Sequence, residues 1–381
     1  MKEGLAVSDQ RQYWVGFNLV KGIGSARLRG LLDFFGEAEI AWGAPAEALR
    51  EAGLSQRIVE SLLQVRQEVS LEKVWERIQA QGICVLTWLD EGYPRLLMEI
   101  DQPPPVLYVR GEIREEDDWS VAVVGTRRVT AYGRQVTGEV AGLLARNGAT
   151  IVSGLARGVD AAAHQAALDA GGRTIAVLGS GVDRIYPPEH RKMAERIASQ
   201  GAVISDYPPG TPPDASNFPP RNRIISGLSR AVVVVEAGQT SGALITASFA
   251  ADQGREVYAV PGNITAPQSK GTNRLVQQGA RPLLDPQEIL ETLNLELVQE
   301  HRSTRAALPG DALEAELYAL VGNEPLHVDE IRLRSSLPIE KVSSTLALME
   351  LKGLVRQVGG MRYVAVREDQ AGYDAGEDNG F

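Results

Sequence analysis

Cysteine is nearly absent from this 381-residue chain: Cys84 stands alone. That excludes an intrachain disulfide and any cysteine-rich zinc module. His164, His190, His301 and His327 are widely scattered, so no histidine spacing suggests a metal site. Long apolar runs are also missing. Ala231–Val235 is among the longest near a charge-free core, far short of a bilayer span. The first sixteen residues have no apolar run behind a basic start, so no secretory leader is expected. These absences point to a cytoplasmic protein with no membrane segment. At 44% apolar content, the chain suffices for one large core with one or two small modules.

A net charge of −10 looks unsuited to nucleic acid, but the charges are segregated. Residues 1–119 carry 13 Lys/Arg against 20 Asp/Glu, and residues 286–381 carry 9 against 17. Between them, residues 120–285 carry 17 against 12, a net of +5. A basic middle between acidic flanks can present an electropositive face within an acidic protein. A solvated, functionless scatter of charge is the competing reading.

Three regions follow, bounded at residues 1–80, 81–290 and 311–366. The first is helical. Leu19–Leu28 contains an apolar lead-in, the Gly22-Ile23-Gly24 turn and the start of an amphipathic helix, with a weaker echo at Leu49–Ser55. This resembles a SAM-like or helix-hairpin-helix module, whose glycine turn can hold a phosphate. The acidic surroundings favour a compact helical bundle instead.

The second region alternates β-branched runs with helical stretches. Strands are expected at Val121–Val124, Thr150–Ser153, Thr174–Leu178, Ala202–Ser205, Ala231–Val235 and Glu256–Val260. Helices are expected at Ala131–Arg146, Ala161–Ala170, Glu189–Ser199 and Ala243–Ala251. Such alternation predicts an α/β fold: an extended Rossmann-like, mainly parallel sheet covered on both faces. Runs at Ile83–Trp88 and Val106–Val109 should extend that sheet. Residues 291–310 read as a linker. Helical patterns at Ala312–Val321, Val328–Arg334 and Ile339–Lys352, followed by strands around Gly359-Gly360, resemble a winged helix. Residues 367–381 are polar and Gly-rich, and a disordered acidic tail is expected there.

The unusual residues fall just after the expected strands, where open parallel sheets bind ligands. Thr126, Arg127 and Arg128 follow the first strand. Ser153 ends the second, and Gly154, Arg157 and Gly158 follow it. A Pro-rich loop after the fourth ends in Phe218, Arg221, Asn222 and Arg223. Ser241 and Gly242 follow the fifth; Asn263, Lys270 and Asn273 follow the sixth. Glycines let a backbone approach closely and expose N–H groups, and arginines supply forked donors for phosphate. Recurring after so many strands, the pattern suits a run of phosphates. Asp160 reads as a helix cap before a catalytic acid, and His164 as a packing residue. Glu236 ends a strand where a general base can sit, yet no partner acid or histidine is legible beside it. Phe218 is either a loop anchor or a wedge between bases.

Several of these segments resemble the DprA/Smf family. They are Ser153–His164, Phe218–Ser229, Ser241–Ala247, Val260–Asn263 and Gly271–Asn273, with Tyr93-Pro94 and Leu107–Gly111 also fitting. The resemblance spans about residues 82–285. It implies a Rossmann-like domain that binds single-stranded DNA without sequence preference and forms a homodimer. It also implies delivery of RecA recombinase onto DNA coated with single-strand-binding protein, in natural transformation and recombination. No cofactor and no covalent chemistry are implied. The family's phosphate-contacting arginine corresponds to Arg127 and its base-contacting aromatic to Phe218. A lysine that some members carry three residues before that aromatic is replaced by Ala215, leaving Arg221 or Arg223 to supply the charge. Two rivals stand beside this. One is a nucleoside-monophosphate phosphoribohydrolase, but Glu236–Thr246 lacks that group's Pro-Gly-Gly-x-Gly-Thr-x-x-Glu motif. The other is a sequence-specific transcription factor, but residues 311–366 hold six basic against eight acidic residues.

Overall fold

The computed structural model describes residues 10–293, 312–321, 325–335, 337–351, 354–358 and 361–365. The chain divides into two compact units, residues 1–295 and 296–381. Most of residues 291–310, the whole 367–381 segment and the Gly359-Gly360 pair lie outside the described residues.

The first unit is built on a nine-stranded sheet. In chain order its strands are β1 (Cys84–Thr87), β2 (Val106–Gly111), β3 (Ser120–Val124), β4 (Thr150–Ser153), β5 (Thr174–Val177), β6 (Ala202–Ser205), β7 (Ala231–Val234), β8 (Glu256–Ala259) and β9 (Arg281–Pro282). Across the sheet they run β1-β2-β6-β5-β4-β3-β7-β8-β9. From β6 to β9 every pairing is parallel; β1 and β2 join antiparallel at one edge. Strands β3 to β7 are buried at every position, as β-branched runs covered on both faces must be. On one face Ala122, Val124, Val152, Val177, Val232 and Val234 share a core with Ile224 and Ile225 of helix Phe218–Gly227 and Ala247 of helix Gly242–Asp252. On the other, Ala176 and Val203 pack with Leu168, Ala194 and Ile197. Each such valine, leucine or isoleucine side chain, fully removed from water, contributes roughly 1.5–3 kcal/mol.

The N-terminal helices close the β1–β2 edge. Trp14 and Phe17 of helix Arg11–Leu19 are buried in one cluster with Val85, Val106 and Tyr108. The Tyr108 hydroxyl donates to Asn18 Oδ1 (3.0 Å), and Asn18 donates in turn to the carbonyl of Asp206 (3.3 Å). At the Gly22-Ile23-Gly24 turn, Ile23 is buried, Arg27 donates to the Gly22 carbonyl (2.7 Å), and Ser25 donates to the carbonyl of Pro103 (2.7 Å). The turn is thereby fastened to the proline run that leads into β2.

The second unit has helices Ala312–Leu320, Val328–Ser335 and Ile339–Leu351 with a three-stranded sheet of Leu326–His327, Arg362–Ala365 and Val355–Gln357 in that spatial order. Leu317, Ile331, Val342, Leu346 and Leu354 form its core. This is a winged helix, with a short first strand that the sequence pattern does not announce.

Candidate nucleic-acid interface

The loops after β3, β6 and β7 enclose a cleft of about 380 Å³ at the carboxyl ends of the strands. Of the sixteen residues expected to form a site, Thr126, Arg127, Arg128, Phe218, Arg221, Asn222, Ser241 and Gly242 line it. Gly125, Ala156, Gly238, Thr240 and Thr246 line it as well, although they were not singled out beforehand.

The β3 loop is held from behind. Thr126 N–H donates to the carbonyl of Glu236 (2.7 Å), and the Thr126 carbonyl accepts from Val159 N–H (3.2 Å). Gly158, at φ +84°, sits so close to the Thr126 carbonyl that no Cβ fits there. Glu236 is buried, and its carboxylate accepts from Thr130 N–H (2.9 Å) and Thr130 Oγ1 (2.5 Å). Glu236 thereby fastens the entry of helix Ala131–Arg146. Held this way, the loop presents Arg127 and Arg128, both exposed and without an ion pair among the described residues.

Phe218 is the first residue of a helix, not part of a loop. Residues Ala215–Asn217 form a single 3-10 turn, and Phe218–Gly227 follows with prolines in its first turn, where no intrahelical N–H is missed. The ring is half-buried. The Arg127 guanidinium lies 5.6 Å from its centroid and that of Arg221 lies 5.9 Å away, within cation–π range. The Tyr186 ring lies at 5.9 Å, tilted by 33°, and is 39% exposed. On its inner side a Cβ at Gly179 would come within 2.8 Å of the Phe218 ring, so a glycine there makes room for it. Tyr186 was not foreseen: nothing in its local sequence indicates an aromatic facing one far along the chain.

The remaining arginines have other partners. Arg221 is buried and donates to the carbonyls of Gly154 (3.0 Å) and Val177. Burial pushes its pKa down to about 10, and the nearby Asp160 carboxylate opposes that shift. Asp160 is itself buried, which raises its pKa, while Arg221 and the N–H groups of Ala156 (3.3 Å) and Gly154 (3.2 Å) favour the anion. Asp160 thus ties down the loop before its helix, whose cap is Gly158. The expectation that Asp160 caps the helix is corrected to this extent. Arg223 pairs with Asp206 (3.0 Å), both mostly buried. The expected free charge at Arg221 or Arg223 is therefore spent within the protein. Asn222 bridges to the Gly242 carbonyl (3.3 Å), joining two walls of the cleft.

Ser241 caps helix Gly242–Asp252 by accepting from Ala243 N–H (3.4 Å), and a Cβ at Gly242 would meet nothing within 4 Å. Ser153 is buried against the Val123 carbonyl (2.7 Å), as a supporting residue. Arg157 is exposed and paired with Glu189 (2.5 Å). Asn263, Lys270 and Asn273 follow β8 and do not line the cleft. Asn263 accepts from Thr265 N–H (2.9 Å), and Asn273 clasps Gly262 through both its N–H (3.1 Å) and its carbonyl (2.9 Å). Lys270 is exposed at the head of helix Lys270–Gln277. His164 is buried with Nδ1 2.7 Å from Thr174 Oγ1, and burial lowers its pKa to about 3, as befits a neutral packing residue. No group of three or more potential metal ligands occurs among the described residues, and no described helix is long and apolar enough to cross a membrane.

Comparison with known proteins identifies the family. Residues 84–294 match the family described as DNA recombination-mediator protein A, and residues 301–361 match the DprA winged helix domain. Protein Smf of Synechocystis is 37% identical over 93% of this chain and 99% of its own length. The DNA processing protein DprA of Bacillus subtilis is 42% identical over 58% of this chain and 75% of its own. Among solved structures, DprA of Streptococcus pneumoniae aligns at a TM-score of 0.66 and 33% identity, covering 74% of this chain and 97% of that one. DNA processing protein A of Helicobacter pylori, described for its unique single-stranded DNA binding mode, aligns at 0.51 and 33%, covering 56% and 96%. With its parallel sheet, its strand-end cleft and its winged helix, the chain belongs to the DprA/Smf family of DNA recombination mediators.

Proposed function

We propose that this protein binds single-stranded DNA without sequence preference in the cleft at the carboxyl ends of β3, β6 and β7. The observation that carries this is the pairing of a free cation with an aromatic face. Arg127 has no carboxylate partner among the described residues and lies over Phe218, whose ring also meets that of the partly exposed Tyr186. Phosphate neutralisation and base stacking are the two terms that bind single strands without reading sequence. Arg128, Thr126, Ser241 and Gly242 extend the polar wall, and Lys270 and Asn263 stand beyond it after β8. By family likeness, the protein delivers RecA recombinase onto DNA coated by single-strand-binding protein. The same likeness makes the working species a cytoplasmic homodimer acting in transformation and recombination, without cofactor or covalent chemistry.

An anisotropy titration of single-stranded against duplex DNA over a salt series tests this. Contact with roughly four to six phosphates predicts a log–log slope of about −3 to −4 for single strands. A flat salt response, or a preference for duplex, contradicts the proposal. The phosphoribohydrolase reading has less support, because Glu236 and Asp160 are both bonded to backbone or Thr130 within the fold. Release of ribose phosphate from a nucleoside monophosphate would revive it.

A further inference from the structure

The arginines of the β3 loop border two hollows. One is the cleft described above. The other is a groove of about 690 Å³ between helices Ala131–Arg146 and Val159–Asp169, and Arg127 and Arg128 line both. Arg134 and Arg157 add to its walls. Its floor is made of small residues, Gly138, Ala162 and Ala166 among them, which leave the trough open. A Cβ added at Gly138 would meet nothing within 4 Å.

The charge balance in this groove is one-sided. Asp169 is occupied by Gln165 (2.6 Å) and Arg196 (3.3 Å), and Glu189 by Arg157 (2.5 Å). Arg134 is exposed, and like Arg127 and Arg128 it has no ion pair among the described residues. Three of the amides at the head of helix Val159–Asp169 are also spent. Val159 N–H goes to Thr126, Ala161 N–H to Ala156 and Ala162 N–H to Gly158. A single compact anion would want such amides converging on one point. Side-chain cations spaced along an open trough suit successive phosphates of a chain instead.

We propose that this groove is a second phosphate track, continuous with the cleft across Arg127 and Arg128, and that it takes the nucleotides of the same strand as they leave the cleft. The proposal rests on the single-strand reading above. The strand crosses the β3 loop, with its bases against Phe218 on one side and its phosphates passing to Arg134 on the other.

The test uses the full-length protein and labelled oligothymidylates of about 4 and about 16 nucleotides, spanning common site sizes of non-specific single-strand binders. Two variants probe the groove without touching the cleft. Arg134→Ala removes an exposed cation, and Gly138→Glu places a carboxylate in open space at a helical position. For Arg134→Ala the short oligonucleotide should bind within about twofold of wild type. The long one should weaken by about threefold to tenfold, with a salt slope shallower by about 0.7, the value of one phosphate contact. Gly138→Glu should weaken the long oligonucleotide more, and again spare the short one. Melting temperatures confirm that both variants fold. Equal losses at both lengths, wild-type binding of the long strand by both variants, or losses confined to duplex would each overturn the groove. The underlying cleft is read separately, from Arg127→Ala on the short oligonucleotide. If that variant binds like wild type, the cleft reading itself fails; if it weakens while the groove variants do nothing, only the groove fails.

Discussion

Two arginine-bearing segments border the cleft, and their arginines do opposite work. In the β3 loop, Arg127 and Arg128 are exposed, and their loop is fastened from behind through Thr126 and Glu236. In helix Phe218–Gly227, Arg221 is buried on two carbonyls beside Asp160, and Arg223 is paired with Asp206. By residue type the segments look equivalent, each a pair of arginines near a strand end. What separates them is desolvation. A guanidinium placed inside must find carbonyls and a carboxylate, and it then serves the fold. Left in water beside an aromatic face, it keeps its charge for a ligand.

The largest effect that sharpens this contrast is on stability. Arg221→Ala leaves Asp160 buried without its neighbouring cation and two carbonyls without a donor. Leaving a buried charge uncompensated in this way costs about 3–5 kcal/mol. Thermal unfolding should show a large drop in Tm, whereas Arg127→Ala should melt like wild type. Equal melting of the two variants would break the distinction.

His164 gives an effect of similar origin that pH reveals. Its pKa is about 3 in the fold and near 6.5 when unfolded, because burial disfavours the cation. The unfolded chain therefore takes up the proton first. Stability from this group is complete above about pH 6.5 and is lost progressively as pH falls towards 3. His164→Gln should flatten that part of the stability–pH curve. An unchanged curve would mean that the imidazole is not sequestered from protons.

Next comes Phe218, whose neighbours are the arginines of both segments. Phe218→Ala should weaken single-strand binding by ~1–3 kcal/mol, the range for one lost base–aromatic stack. The salt slope should stay unchanged, because no charge is removed. Phe218→Trp should retain most affinity. Tyr186→Ala should cause a smaller loss of the same kind. A changed slope in stably folded Phe218→Ala would show that the ring acts by positioning Arg127.

The smallest effect concerns the second unit. Deleting residues 311–381 should cost less than about tenfold in single-strand affinity, ~1.4 kcal/mol, since residues 311–366 carry an acidic excess. A larger loss would assign DNA contact to the winged helix.

The sheet was largely legible in the sequence. The six central strands fall within a residue of their β-branched runs at each end, because strands covered on both faces admit little else. The two-residue β9 has no run to announce it. Helix Phe218–Gly227 was hidden by Pro219 and Pro220, which suggest a loop yet are well tolerated in a first helical turn. The cleft was half legible. Strand-end positions could be read in order, and so could the preference for glycine and arginine there. Burial could not, so Arg221, Arg223 and Asn273 carried the residue types of a site while serving the fold. Tyr186 was missed for the converse reason, since its meeting with Phe218 depends on how a loop and a distant helix start come together in the fold.

The most direct test of the account is the salt dependence of single-strand binding in Arg127→Ala beside Arg223→Ala. Free charge predicts that Arg127→Ala flattens the log–log slope by about 0.7, one phosphate's share, with its Tm unchanged. The Asp206 ion pair predicts that Arg223→Ala keeps the wild-type slope and loses stability instead. Equal flattening in both variants, or a shallower slope only in Arg223→Ala, would contradict the division between charge kept for DNA and charge spent on the fold.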